Sequence, residues 1–249
     1  MATRLGPHPP KKGWALRWTR QAASLLLATP MAFLALATAI LTLGALGEAA
    51  RHLLWGPGEI AAAGVLTALA ILPAVTVSNL ILMADGRGRR SLTEIWDIAR
   101  PLLLPALALA GAQALMNALL PGGPAPVDAN LPETWRVAQT GLALYAEAAA
   151  LLAVLNVFWL GSAAALGLRP AEAWTLQELL SRREASLFLT LLLMTLALGK
   201  VLAVLHPLLG LVLLLAYQTW NYVAGREVLG GLDGNGTPET SPAARAQAA

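Results

Sequence analysis

The sequence predicts an all-α, polytopic membrane protein with six transmembrane helices and three cytoplasmic interfacial amphipathic helices. Three observations predict it. Hydrophobic residues make up 57% of the chain and charged residues 12%, about half the charged share of a globular protein. Charge is confined to short segments between stretches of roughly 20 residues, the length that crosses about 30 Å of hydrocarbon at 1.5 Å per residue. Lysine and arginine fall almost entirely on alternate connections between those stretches, the asymmetry that orients membrane helices.

The first stretch runs from Leu25 or Pro30 to Gly47. Five basic residues precede it (Arg4, Lys11, Lys12, Arg17, Arg20), and no charge follows until Glu48. That length exceeds the apolar region of a signal peptide, so an uncleaved first helix is expected. The second span is Ile60–Ala84, the third Pro101–Leu120, and the fourth lies within Val137–Leu168. The fifth, Ser186–Leu205, is separated from the sixth, Pro207–Gly225, only by the turn expected at His206–Pro207. Pro73 is the proline placed to kink a helix interior, whereas Pro30 marks the entry to the first span.

Segments 85–100 and 169–185 and the tail add four, three and two basic residues to the N-terminal five, whereas the opposite connections hold only Arg51 and Arg136. Both termini are therefore expected in the cytoplasm. Residues 1–228 form the six-span domain. Residues 229–249, rich in Gly, Pro, Ala and small polar residues, are expected as a disordered cytoplasmic tail. The external loop 121–136 has no regular period.

Each outward-going span follows an amphipathic segment. In "SLTEIWDIARP", Leu92, Ile95, Trp96 and Ala99 make one apolar stripe, Ser91 and Glu94 have capping-box spacing, and Pro101 is expected to end the helix. Trp14, Trp18, Ala22 and Leu25 share a face before the first span, and Ala173, Leu176, Leu179 and Leu180 before the fifth. Tryptophan beside arginine suits such helices to the headgroup layer, so Trp18, Arg89, Arg90, Trp96, Trp174, Arg182 and Arg183 are the candidate lipid-interface residues. The chain thus reads as three helix-plus-hairpin units, with "WTRQ" at Trp18–Gln21 sliding onto "WTLQ" at Trp174–Gln177. Duplication and the general habit of aromatic-basic membrane edges explain this equally.

Ionisable groups within spans mark functional sites. Glu147 in the fourth span and Lys200 in the fifth are the candidate intramembrane site, at comparable depth and able to pair, with Gln113 and Asn117 sharing a face of the third helix. A proton- or substrate-coupled site is one reading. The other is a snorkelling lysine and a carboxyl that is protonated or reaches water. Asn79, Asn156, Gln218 and Asn221 also lie at depth, where helix-to-helix hydrogen bonds account for them.

Cysteine is absent, which excludes disulfides, thiolate metal sites and cysteine nucleophiles. The pI of 9.7 reflects a surplus of three charges, so no nucleic-acid partner is expected. His52 and His206 fall at one face without a carboxylate cluster, and neither a zinc-protease motif nor a phosphate-cradling glycine loop occurs. No cofactor is expected.

Thr29–Pro30 after its arginines, "GLRPAEAW" at Gly167–Trp174 and "YQTWNYVAGRE" at Tyr217–Glu227 resemble a family of uncharacterised bacterial inner-membrane proteins with six spans. Relatives tend to carry Arg-Asn before the fifth span, where this chain has Arg182, Arg183, Glu184 and Ala185. The resemblance implies location and topology and supplies no catalytic residues. The expected function is non-enzymatic, through membrane lipids, a membrane-protein partner or a homo-oligomer. The alternative is a small-solute or proton-coupled transporter or channel using Glu147 and Lys200.

Overall fold

The computed structural model describes residues 9–10, 12–54, 57–89, 91–119, 132–158, 168 and 170–230. Every regular element among them is helical: α1 (Trp14–Ala28), α2 (Pro30–Leu53), α3 (Pro57–Leu69), α4 (Ile71–Ala84), α5 (Leu92–Leu119), α6 (Glu133–Leu155), α7 (Pro170–Arg183), α8 (Ala185–Val204) and α9 (Pro207–Gly230). Among the described residues, four helical segments are long and apolar enough to cross a membrane: Pro30–Leu53, Gly58–Ala84 (α3 and α4 together), Leu92–Ala112 and Pro207–Leu229. The remaining two of the six apolar stretches fold as α6, of 23 residues, and α8, of 20.

The helix ends gather at two poles. At the basal pole the first turns of α1, the end of α4 and the end of α9 meet through Arg17, Asp85, Arg226 and Glu227. At the distal pole the end of α2 meets the starts of α3 and α6 through Glu48, Glu59 and Arg136, and Trp135 stacks on His206 in the α8–α9 turn.

Prolines explain three boundaries. Pro30 opens α2 at its first position, where a missing N–H costs nothing. Pro73 cannot donate to the carbonyl four residues back, which is Leu69, and α3 gives way to α4 at Ala70, whose backbone stays in the right-handed helical region at φ −61°, ψ −14°. Pro207 starts α9 after extended Leu205.

Pro101 behaves otherwise. The sequence predicts a helix end there, yet α5 runs unbroken from Leu92 to Leu119 through Pro101 and Pro105. Ile95, Ala99, Leu102, Ala106 and Ala110 are buried at spacings of four, three, four and four, a stripe that stays in phase across the prolines and packs on α3 and α4. Both prolines lie on the exposed face, so continuous burial outweighs the lost backbone bonds. The capping box forms as spaced: the Ser91 amide donates to Glu94 Oε2 at 2.7 Å, and the Glu94 amide donates to Ser91 Oγ at 3.2 Å.

The three units are therefore not equivalent. α1 and α7 are separated from α2 and α8 by single hinge residues of nearly the same backbone, Thr29 at φ −125°, ψ 56° and Glu184 at φ −132°, ψ 56°. No hinge interrupts α5.

α6 packs between α2 and α8. Where α2 and α6 cross, Gly44 lies against the Val137 carbonyl and Gly141 against the Ile40 carbonyl, so closely that a β-carbon on either would strike backbone. Small residues at such crossings let helix backbones approach, the main source of packing energy where lipid replaces water.

α9 continues through Gly230, with Leu229 fully buried. Leu229 and Gly230, expected as the start of the tail, thus belong to α9, where Val228 and Leu229 are buried in the last turn. Residues 231–249 and most of the segment 121–136 lie outside the described residues.

Candidate functional site

The basal pole holds a charge network that ties three helices together. Asp85 follows the last turn of α4. Its carboxylate accepts from Arg226 Nη1 at 2.8 and 2.7 Å, from the Tyr222 hydroxyl at 2.9 Å and from Arg87 Nε at 2.6 Å. The Arg226 side chain is 3% exposed, and its Nη2 donates to Gln21 of α1 at 2.8 Å. Its neighbour Glu227 also faces α1: Oε1 pairs with Arg17, and Oε2 accepts from the Trp18 indole at 2.8 Å. Trp14, Trp18 and Trp220 stack over this junction, with ring centroids 4.6 to 6.3 Å apart. Buried ions persist only when paired and hydrogen-bonded, and groups from α1, α4 and α9 meet that condition except at Arg226 Nε, which is buried without a hydrogen-bond partner among the described residues.

The distal network is smaller. Glu48 accepts from Arg51 Nη1 at 3.0 Å and Thr140 Oγ1 at 2.6 Å, and lies 3.4 Å from Arg136 Nε. Arg51 and Arg136 thus converge on one carboxylate.

Between the poles runs a ladder of neutral groups. The Gln218 side chain accepts from the Tyr145 hydroxyl at 2.9 Å and donates to the Ala74 carbonyl at 2.8 Å and Ser78 Oγ at 3.0 Å, joining α4, α6 and α9. Where α6 stops, Gln177 accepts from the Val157 amide at 2.7 Å, Asn221 donates to its carbonyl at 2.9 Å, and Asn156 donates to the Ala173 carbonyl at 2.6 Å. Side-chain amides here satisfy backbone groups that a finished helix leaves open. This is the packing role that the sequence assigns to Asn156, Gln218 and Asn221.

Glu147 is half-buried midway along α6, and its carboxyl meets the Thr67 hydroxyl of α3. Gln139, on the same helix, donates to the Leu202 carbonyl of α8 at 3.1 Å. That contact fixes the antiparallel register, setting Lys200 level with about Gly141 and Glu147 level with about Met194. The two candidates are offset along the axis by six residues, on the order of 9 Å. The side chains of Lys200, Gln113 and Asn117 lie outside the described residues.

Among the lipid-interface candidates, Trp96 is 46% and Trp174 53% exposed, and Arg89, Arg182 and Arg183 are exposed. Arg90 lies outside the described residues. Trp18 is the correction: it is fully buried and spends its indole N–H on Glu227 rather than on headgroups. The α1 stripe forms as spaced, with Trp18, Ala22 and Leu25 buried, but it faces α9. The α5 and α7 stripes divide. Ile95, Ala99, Ala173, Leu176 and Leu180 are buried, while Leu92 and Leu179 are exposed.

The sequence reading passes over Asp85, Gln21, Glu227 and Glu48 as site residues. Their only sequence signal is position, since each lies within a turn or so of a span end, where one carboxylate or amide resembles any other. His206 stacks on Trp135 at 4.4 Å, and no group of three His, Cys, Asp or Glu among the described residues could hold a metal ion.

Comparison with known proteins gives no match to any family model, curated protein or solved structure.

Proposed function

We propose that the chain is a six-span inner-membrane protein with both termini cytoplasmic, and that it acts through lipid and protein contacts at its basal pole rather than by catalysis. One observation carries this reading. Trp96 and Trp174 are exposed at the pole where Arg89, Arg100, Arg182 and Arg183 are also exposed. Amphipathic rings beside cations suit the headgroup layer of an anionic leaflet. The topology is supported by the four long apolar helices, by the collection of helix ends at two poles, and by the basic residues that crowd one pole. The resemblance to six-span inner-membrane proteins carried by Tyr217–Glu227 is part of the same proposal.

Reporter fusions are expected to put loop 121–131 outside and the tail inside. Both reporters on one side would refute the topology. The lipid reading is tested by replacing Arg89, Arg90, Arg182 and Arg183 with Gln. Native mass spectrometry is expected to show fewer retained anionic lipids, and unchanged retention would refute it.

A second reading rests on Glu147, a carboxyl midway along α6 against Thr67. It requires Glu147→Gln to abolish a proton-coupled flux in liposomes, and a flux that survives the substitution removes it.

A further inference from the structure

We infer that α1 is a hinged clasp, closed on the finished bundle by the Arg226–Glu227 pair and able to open without unfolding what it closes on. The inference goes beyond the lipid reading, and the closed state does not depend on it.

The seat for α1 is built without α1. Asp85 and Tyr222 already fix Arg226, so its second nitrogen points at the place Gln21 will occupy. Glu227, one residue on, presents its two carboxylate oxygens side by side. Oε1 takes Arg17 and Oε2 takes the Trp18 indole. Trp220, from the same helix, supplies the ring against which Trp14 and Trp18 pack. The three hydrogen bonds from Arg17, Trp18 and Gln21 of α1 thus run to two consecutive residues.

Those residues are synthesised after α1 through α8. Arg17 and Glu227 are separated by 210 positions, so α1 exists long before its partner. During that interval its apolar stripe lacks the α9 face that covers it. α1 is made for such exposure: Leu16 is 59% and Leu27 86% exposed even when docked, with Lys12 and Arg20 also exposed. A helix of this composition rests on a membrane surface. Thr29 provides the hinge, because its backbone at φ −125°, ψ 56° breaks the helix between α1 and α2. Reorienting α1 about this one residue leaves the α2–α6 crossing intact.

The test is hydrogen–deuterium exchange on the full-length protein in nanodiscs, comparing wild type, Glu227→Gln and Arg17→Gln. Glu227→Gln preserves shape and removes the charge that Arg17 and Trp18 share. Amides of residues 15–28 are expected to exchange roughly tenfold or more faster, while α6 keeps its wild-type rates. Arg17→Gln leaves α9 untouched and is expected to accelerate the same amides by a smaller factor. Equal protection of α1 in all three proteins overturns the inference, because the pair would then not hold the clasp. Loss of protection that spreads to α4 and α6 also overturns it, because α1 would then be part of the bundle rather than a closure upon it.

Discussion

Replacing Gly141 by alanine adds one carbon where α2 and α6 cross, and the crossing has no room for it. The new β-carbon would strike the Ile40 carbonyl, lying 2.8 Å from its carbon and 3.1 Å from the Gly44 amide nitrogen. Both neighbours are backbone, so no rotamer change relieves the clash. The helices must part by on the order of 1 Å, which thins dispersion contacts along the seam. Overpacking a well-filled interior costs about 1–3 kcal/mol, and a backbone-to-backbone clash belongs at the upper end. For a chain of this size, about 3 kcal/mol corresponds to a drop in Tm of roughly 6–12 °C. Circular dichroism of purified protein in a mild detergent measures it. Gly111→Ala is the matched control: Gly111 also lies in a long helix, but a β-carbon there meets nothing within 4 Å. Alanine at that site should stabilise by roughly 0.5–1 kcal/mol through helix propensity alone. If Gly141→Ala melts within about 2 °C of wild type, or if Gly111→Ala is the more damaging, the close crossing is not what holds α2 to α6.

Three further outcomes follow from the networks. Asp85→Asn removes the charge that Arg226 faces at 3% exposure and is expected to destabilise by about 3–5 kcal/mol, the range for a buried pair broken on one side; a denaturant midpoint equal to wild type would refute the pairing. Gln218→Leu fills a similar volume but strands the Tyr145 hydroxyl and removes the donor to the Ala74 carbonyl and Ser78 Oγ. At about 0.6–2 kcal/mol per inter-helix bond, it should lower the detergent melting temperature clearly, and an unchanged melt would show that the ladder contributes nothing. Trp18→Phe keeps a ring in the Trp14–Trp220 stack but deletes the indole donor to Glu227 and leaves a small cavity, with an expected loss of at least about 1.5–3 kcal/mol from the hydrogen bond to a charged acceptor. Native-like stability in that variant would assign the burial of Trp18 to stacking alone.

Much of the fold is legible in the sequence because the signals are local. Thr29–Pro30 and Leu205–Pro207 mark helix boundaries through the chemistry of proline itself, and Ser91 with Glu94 declares a cap through spacing that only a helix start satisfies. Pro101 carries the same local signal and is overruled, because the stripe from Ile95 to Ala110 buries a continuous seam that no single proline outweighs. The candidate site is less legible. Gln218 and Asn221 are recognisable as polar groups at depth, but nothing near them in the chain says which carbonyl or hydroxyl each will find. Glu147 stands out for the same reason, and its partner Thr67 comes from a helix 80 residues earlier. Trp18 misleads: a tryptophan among arginines has the composition of a membrane-surface residue whether it faces lipid or protein.

By itself, then, the sequence determined the helical class, the apolar lengths, the helix start at Pro30 and the crowding of arginine on alternate connections, since each is set by residues within a turn or two of one another. Only the tertiary structure decided that Asp85 receives Arg226, that Glu227 takes both Arg17 and the indole of Trp18, and that Gly44 meets Gly141. Each of those pairings joins residues at least 90 positions apart. A carboxylate or a glycine carries no record in its own neighbourhood of what the folded chain will bring to it.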